Sequence, residues 1–209
     1  MALPRFEKLD EPRKKSILAA AAEELNERGF EGASYNHIIE RAGISKGAMY
    51  YYFADKDDLY RTVLDAAIAL FFEQVGFPFA ADDAESFWRG CEQMYERTLR
   101  FVLEDPNNAS LCLAITRARE RMEGHPVLLE LNQRMLEWTR ALVQQGQALG
   151  AVRTDVPSEL LVHVGLSIMD AGDRWLAGRL REITAGEVES TAKMLVDLFR
   201  RVGATEGSR

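Results

Sequence analysis

Cysteine is scarce, with only Cys91 and Cys112 in 209 residues. They fall in different predicted helices and in no C-x-x-C pattern, so there is no disulfide framework, and two buried thiols in a reducing compartment are expected. The three histidines, His37, His125 and His163, are scattered over separate helices. His37 and Glu40 have a metal-like spacing, but no second pair completes a site, and no metal is expected. Apolar runs are short: none approaches the roughly 20 residues of a membrane span. The start, M-A-L-P-R-F-E-K-L-D-E, lacks the long apolar region of a signal peptide. The expected location is therefore cytoplasmic, with no membrane partner. Gly43 and Gly47 flank Lys46 in the wrong order for a phosphate-binding loop, no G-x-S-x-G elbow is present, and no acid–base pair stands out. No catalytic residue and no cofactor are expected, so the chain does not read as an enzyme. Positive charge is also short, the formal net charge being −7. Any contact with nucleic acid must rest on local positive charge.

What is present is an ordinary globular composition, 47% hydrophobic and 28% charged, organised around Ser34–Lys56. Ile38, Ile39 and Ala42 fit one face of a short helix, and Ile44, Met49 and Phe53 fit the face of a second. Between them, Ala42-Gly43-Ile44-Ser45 reads as a turn whose glycine takes positive φ, and the Ser45 hydroxyl is placed to cap the second helix. Two short helices joined by a glycine-containing turn make a helix-turn-helix. From Ile44 to Phe53 the only formal charge is Lys46, yet Tyr50, Tyr51 and Tyr52 follow one another. Successive helical residues point about 100° apart, so with Met49 and Phe53 inward at least two phenols must reach solvent or a partner. Exposed phenols beside a lysine suit a DNA major groove, where hydroxyls meet phosphates or base edges and rings pack on thymine methyls.

The segment from Ile17 to Leu59, with its core G-I-S-K-G-A-M-Y-Y-Y-F-A-D-K, resembles the DNA-binding region of the TetR family of transcriptional regulators. The resemblance covers about residues 13 to 65. It implies an all-α protein, usually a homodimer, with an N-terminal three-helix helix-turn-helix DNA-binding domain and a C-terminal helical bundle for ligand binding and dimerisation. Carried over residue by residue, it makes Ser34, Tyr35, Ser45, Lys46, Ala48, Tyr50, Tyr51, Tyr52 and Lys56 the candidate DNA contacts. Ala48 departs from the threonine common in the family and keeps only a methyl to offer a thymine. Ile39 replaces the usual alanine where the two helices pack, which puts their angle in question. The domains are expected at 1–54, including a flexible arm over 1–11 in which Arg5 and Lys8 read as solvated, and at 55–209.

The first helix is expected from about Pro12 to Arg28, ended by Gly29, with Ile17, Leu18, Ala21 and Leu25 buried and Phe30 folding back onto the core. Arg13, Lys14 and Lys15 at its start are locally unfavourable to a helix N-terminus. Either solvation or a phosphate backbone accounts for them. Ser34 is expected to cap the second helix, and Asp55 with Asp58 reads as a capping box. Beyond a break at Gly76–Asp83, helices are expected over 84–104, 109–122, 126–149, 158–181 and 185–202. The run from Asp105 to Asn108 reads as the terminator of the first of these. Leu128 and Leu131 belong to the core of the third, and Thr184 with Glu187 caps the last.

In the second half, the helix after Pro157 is apolar except for a line of His163, Ser167, Asp170 and Arg174. These residues form either a salt-bridged seam at an interface or, for His163 and Asp170, part of a ligand cavity. The small residues Gly165, Ser167, Ala171 and Gly172 permit close helix approach. Trp88, Tyr95, Phe101 and Trp138 are read either as core or as cavity walls. The candidate ligand residues are thus Trp88, Tyr95, Trp138, His163 and Asp170. The leading expectation is a ligand-responsive, sequence-specific DNA-binding regulator, a repressor by family resemblance. Its partners would be a near-palindromic double-stranded operator, a small-molecule effector and a second copy of the chain. The alternatives are a dimeric helical protein-interaction module, which the net acidity suits, and an all-α enzyme.

Overall fold

The computed structural model describes residues 4–121, 126–180 and 182–205. His125, the stop read at Gly124, and both ends of the chain (1–3 and 206–209) lie outside the described residues, as do the side chains of Phe30, Leu128 and Leu131. Ten α-helices carry what is described: α1 Pro4–Glu7, α2 Glu11–Gly32, α3 Tyr35–Ala42, α4 Lys46–Tyr52, α5 Lys56–Val75, α6 Ala84–Glu104, α7 Pro106–Arg121, α8 Pro126–Ala148, α9 Ser158–Ala177 and α10 Val188–Gly203. The protein is all-α, and the described residues contain one isolated antiparallel bridge, Val152 to Ala204, but no strand. The chain divides into two compact units. Unit one comprises residues 1–71 and 104–128, and unit two 72–103 and 129–209.

Unit one is built on α2. Asp10 caps it by accepting from the Arg13 N–H at 2.8 Å, and Pro12 stands in its first turn, where its missing N–H costs nothing. Ile17, Leu18, Ala21 and Leu25 are buried as the predicted stripe, and Ala22 is buried beside them. Gly29 has φ 69° and breaks the helical path at the expected place. The flexible arm is a correction: α1 occupies it, and Phe6, 2% exposed, packs on Phe53 with ring centroids 4.9 Å apart. A buried aromatic outweighs the mixed polarity of its neighbours. The three cations of α2 are engaged by the protein itself. The Arg13 guanidinium donates to the Gly43 carbonyl at 3.3 Å, Lys14 pairs with Glu11 at 3.0 Å and Lys15 with Asp105 at 2.6 Å.

Helix α7 packs along α2, tied by Asn26 Nδ2 donating to the Ser110 carbonyl at 2.9 Å and Arg117 donating to the Asn26 carbonyl at 3.1 Å. The expected terminator at Asp105-Pro106 is also a start. Pro106 opens α7, while Asp105 accepts from the Asn107 N–H at 2.8 Å, because proline suits a first helical position as well as it ends a preceding helix.

Unit two has two apolar centres. Phe87, Trp88, Cys91, Leu161 and Val196 form one, and Leu99, Leu176, Val188, Ala192 and Leu195 the other. A Cβ on Gly172 would stand 3.2 Å from Leu195 Cδ2, so this glycine sets the approach of α9 to α10. The expected capping box forms before α10, with the Thr184 N–H donating to Glu187 Oε2 at 2.9 Å. At its far end α10 is held to the α8–α9 connection by the Arg153 N–H donating to the Gly203 carbonyl at 2.8 Å.

Candidate functional site

The helix-turn-helix forms from the residues that predicted it. Ile38, Ala42, Met49 and Phe53 are buried, while Ile39 and Ile44 are half-buried at the junction. Gly43 sits at φ 60°, ψ 38° and closes α3, its N–H donating to the Glu40 carbonyl and the Ile44 N–H donating to the Ile39 carbonyl. Ser45 Oγ accepts from the Ala48 N–H at 3.1 Å and starts α4. At the head of α5, Asp55 Oδ1 accepts from the Asp58 N–H at 2.8 Å, while Asp58 Oδ2 accepts from the N–H of Ala54, one residue before Asp55, at 3.0 Å.

A fully buried carboxylate, Glu24, joins α2 to α3. Its Oε1 accepts from the Ser34 N–H at 3.1 Å and lies 3.1 Å from His37 Nδ1 and 3.2 Å from Arg28 Nε. Ser34 is therefore held through its backbone. The side-chain cap expected of it is not made, which is a correction: the Glu24 carboxylate supplies the ordering instead.

The candidate contacts do not share one fate. Lys46, Tyr50 and Tyr51 are exposed, the two phenols by 54% and 49%. Ser45 is exposed with its oxygen engaged as a cap, and Ala48, Ser34 and Lys56 are half-exposed. Tyr52 turns back into an aromatic cluster, its centroid 6.1 Å from Phe6 and 6.5 Å from Phe53. Tyr35 lies edge-on to Tyr50 at 5.7 Å. Its hydroxyl is buried without a hydrogen-bond partner among the described residues, so it does not reach outward as a phosphate contact does. Burial, seconded by Asp55 and Asp58, holds that phenol well above its ordinary pKa, so it stays neutral. Arg5, which reads as solvated in the sequence, has a different place. With Phe6 anchored, its guanidinium stacks 4.2 Å from the Tyr51 ring centroid, adding a cation to the exposed face of α4.

In unit two, α6, α8, α9 and α10 line a partly open cavity of about 90 Å³. Trp88, Tyr95 and Trp138 are on its wall; Phe101, His163 and Asp170 are not. The last two correct the sequence reading. The His163 side chain is 63% exposed near Glu159, and Asp170 pairs with Arg174 at 2.6 Å along the same helix. Polar residues three and four apart on one helix satisfy each other at the surface without a cavity. The wall residues Leu142, Val143, Ile168 and Phe199 carry no polar signal, and nothing in the sequence separates them from ordinary core.

Residues 17–63 match the model of a family described as bacterial regulatory proteins, tetR family. Over 75% of this chain and 78% of the relative, the sequence is 27% identical to the HTH-type transcriptional repressor AcnR of Corynebacterium efficiens. It is 23% identical to the HTH-type regulator YvdT of Bacillus subtilis, over 75% of this chain and 78% of that one. The crystal structure of a TetR family transcriptional regulator from Chloroflexus aurantiacus superposes with a TM-score of 0.71, at 21% identity, covering 99% of this chain and 100% of that one.

Proposed function

The chain belongs to the tetR family of bacterial regulatory proteins, and from that premise we propose that it is a ligand-responsive, sequence-specific DNA-binding transcriptional regulator that acts as a repressor. The observation that carries this reading is the exposed face of α4, where Lys46, Tyr50, Tyr51 and the stacked Arg5 gather with no carboxylate in the helix itself. On this reading residues 1–54, with Lys56 at the head of α5, meet DNA, and the rest of 55–209 senses ligand and dimerises. Lys46 and Arg5 meet phosphate or base edges, and Tyr50 and Tyr51 add base or backbone contacts. Ser34 and Lys56 meet phosphate, and Ala48 meets a thymine methyl. Tyr52 and Ser45 act by placing the helix.

Unit two supports the remaining parts. Leu160 and Trp175 on α9, with Met194, Leu198 and Val202 on α10, are large apolar side chains left exposed, and a second copy of the chain would cover them. A two-fold dimer presents two α4 helices and reads a near-palindromic operator. The apolar cavity is the effector site, and an effector that favours a dimer mismatched to operator spacing releases DNA. The protein works in the cytoplasm, and no enzymatic step belongs to this reading.

The test is selection from random DNA followed by a salt titration of the enriched sequence. Specific enrichment is expected, with a steep fall of affinity with salt. Lys46→Ala should reduce the slope of log K against log salt by about 0.9 for each phosphate that the lysine neutralises. An absence of enrichment, or a Lys46→Ala variant with unchanged affinity and slope, would sink the reading.

A further inference from the structure

The chemistry of the effector is open in the reading above, and the wall of the unit-two cavity narrows it. Among the described residues its lining contains no Asp, Glu, Lys, Arg or His. The Thr139 hydroxyl on that wall is committed to the Met135 carbonyl at 2.8 Å. Burial pushes the Cys91 thiol up to about 12 and the Tyr95 phenol well above its ordinary value, so both are neutral. An ion entering this space would shed its hydration with no countercharge to replace it.

Two residues of the wall carry a polar atom left without a hydrogen-bond partner among the described residues: the buried indole Nε1 atoms of Trp88 and Trp138. Trp88 as a whole is 5% exposed. An indole N–H only donates, and native interiors leave few buried donors unmet because each unmet one is costly. An ordered water answering an indole would need acceptors for its own protons, and this lining offers few.

Resting on the reading of unit two as the sensing unit, we infer that the effector is an uncharged, mainly hydrocarbon or aromatic molecule. It presents a hydrogen-bond acceptor, such as a carbonyl or ether oxygen, to the indole N–H of Trp88 or Trp138. The cavity of about 90 Å³ is smaller than the roughly 150 Å³ that admits a benzene ring. A ring-sized ligand therefore reaches out through the open side of the cavity, at Val202, or displaces the wall. Met94 and Met169 lie on that wall, and their unbranched thioethers repack readily.

Acetophenone, cumene and benzoate test this by calorimetry on the full-length protein, since the three differ chiefly in a ketone, an isopropyl group and a carboxylate on one ring. Acetophenone and cumene should bind, and benzoate should not. In Trp88→Phe or Trp138→Phe, the affinity for acetophenone relative to cumene should fall about tenfold, the worth of one hydrogen bond. Tighter binding of benzoate than of acetophenone in the unaltered protein would overturn the inference without any variant. So would failure of both neutral probes to bind, or an unchanged acetophenone-to-cumene ratio in both variants. Operator release is scored separately. Probes that bind with the expected ratio yet leave DNA held equally tightly would uphold the ligand class and defeat the regulatory reading. Release by a charged compound alone would do the reverse.

Discussion

Two helical glycines in unit two should respond to the same substitution with opposite signs. Exchanging glycine for alanine inside a helix stabilises by about 0.5–1 kcal/mol through backbone entropy alone, and tertiary space then decides the net effect. A Cβ on Gly165 would lie 3.6 Å from Thr139 Cγ2, an ordinary contact, and it would take up cavity space. Gly165→Ala is therefore expected to gain the full increment of about 0.5–1 kcal/mol. A Cβ on Gly146 would lie 2.4 Å from Val152 Cγ2 and 2.8 Å from Phe87 Cζ. Carbon atoms rest at about 3.5–4.0 Å, so both neighbours must retreat by about 1 Å. Phe87 is 1% exposed and Val152 6%, which leaves neither room to do so. Overpacking costs about 1–3 kcal/mol, enough to reverse the helical gain and leave Gly146→Ala destabilised by about 1–2 kcal/mol. A chain of this size shifts in Tm by about 2–4 °C per kcal/mol, so thermal denaturation followed by circular dichroism should separate the two variants by roughly 4–10 °C. If Gly146→Ala melts at or above the unaltered protein, the close packing described around Phe87 is wrong.

The helix-turn-helix is legible in the sequence because local rules agree there. Gly43 must take positive φ, Ser45 caps, and Ile38, Ala42, Met49 and Phe53 share the inward side; the structure realises each. Three consecutive helical tyrosines cannot all be buried, and Tyr50 and Tyr51 lie outside while Tyr52 packs. The features that escape a sequence reading depend on partners distant along the chain. Glu24 is ten residues from Ser34 and lies in another helix, so no local pattern shows that it, and not a serine cap, orders the start of α3. Lys14 has a local counter-charge in Glu11, but Lys15 is paired across 90 residues with Asp105, and Arg13 reaches the Gly43 carbonyl 30 residues on, so two members of the cationic run read as unexplained. Phe6 looks like part of a polar tail because its cover, Tyr52 and Phe53, is far off in sequence. The cavity is half legible. Large aromatics mark places where packing can leave gaps, which finds Trp88, Tyr95 and Trp138. The polar line on α9 misleads because i, i+4 pairing at the surface and a buried polar seam give the same spacing.

Three further perturbations test particular contacts. Phe6→Ala should release α1 from α4 and expose Arg5 to trypsin. Phe→Ala in a full core costs about 3–5 kcal/mol, but only a four-residue helix detaches here, so a loss of about 1–3 kcal/mol is expected, with weakened DNA binding. Unchanged melting and proteolysis would show that the arm does not dock. Cys91, with its thiol pushed up to about 12 by burial, should resist iodoacetamide from about pH 7 to 9 in the native protein and react in urea. Labelling that rises with pH across that range would contradict its burial.

The last perturbation concerns acid stability, through the Lys15–Asp105 link between α2 and the head of α7. The Lys15 ammonium and the Asn107 N–H hold the Asp105 carboxyl below its ordinary pKa. A depressed folded-state pKa contributes stability that is fully present above the unfolded value, about 3.9 for Asp. That stability is lost as pH falls through the folded one. The contribution is therefore intact at neutral pH and disappears below about pH 4. Asp105→Asn keeps an oxygen that can accept from the Asn107 N–H and removes only the charge. Its urea midpoint should lie below that of the unaltered protein at about pH 7 and converge with it as the pH is lowered to about 3. Lys15→Met, which removes the other partner, should show the same convergence. If both variants track the unaltered protein in parallel from about pH 7 to 3, the ion pair carries no linkage, and α7 is held to α2 by the Asn26 and Arg117 hydrogen bonds and apolar packing alone.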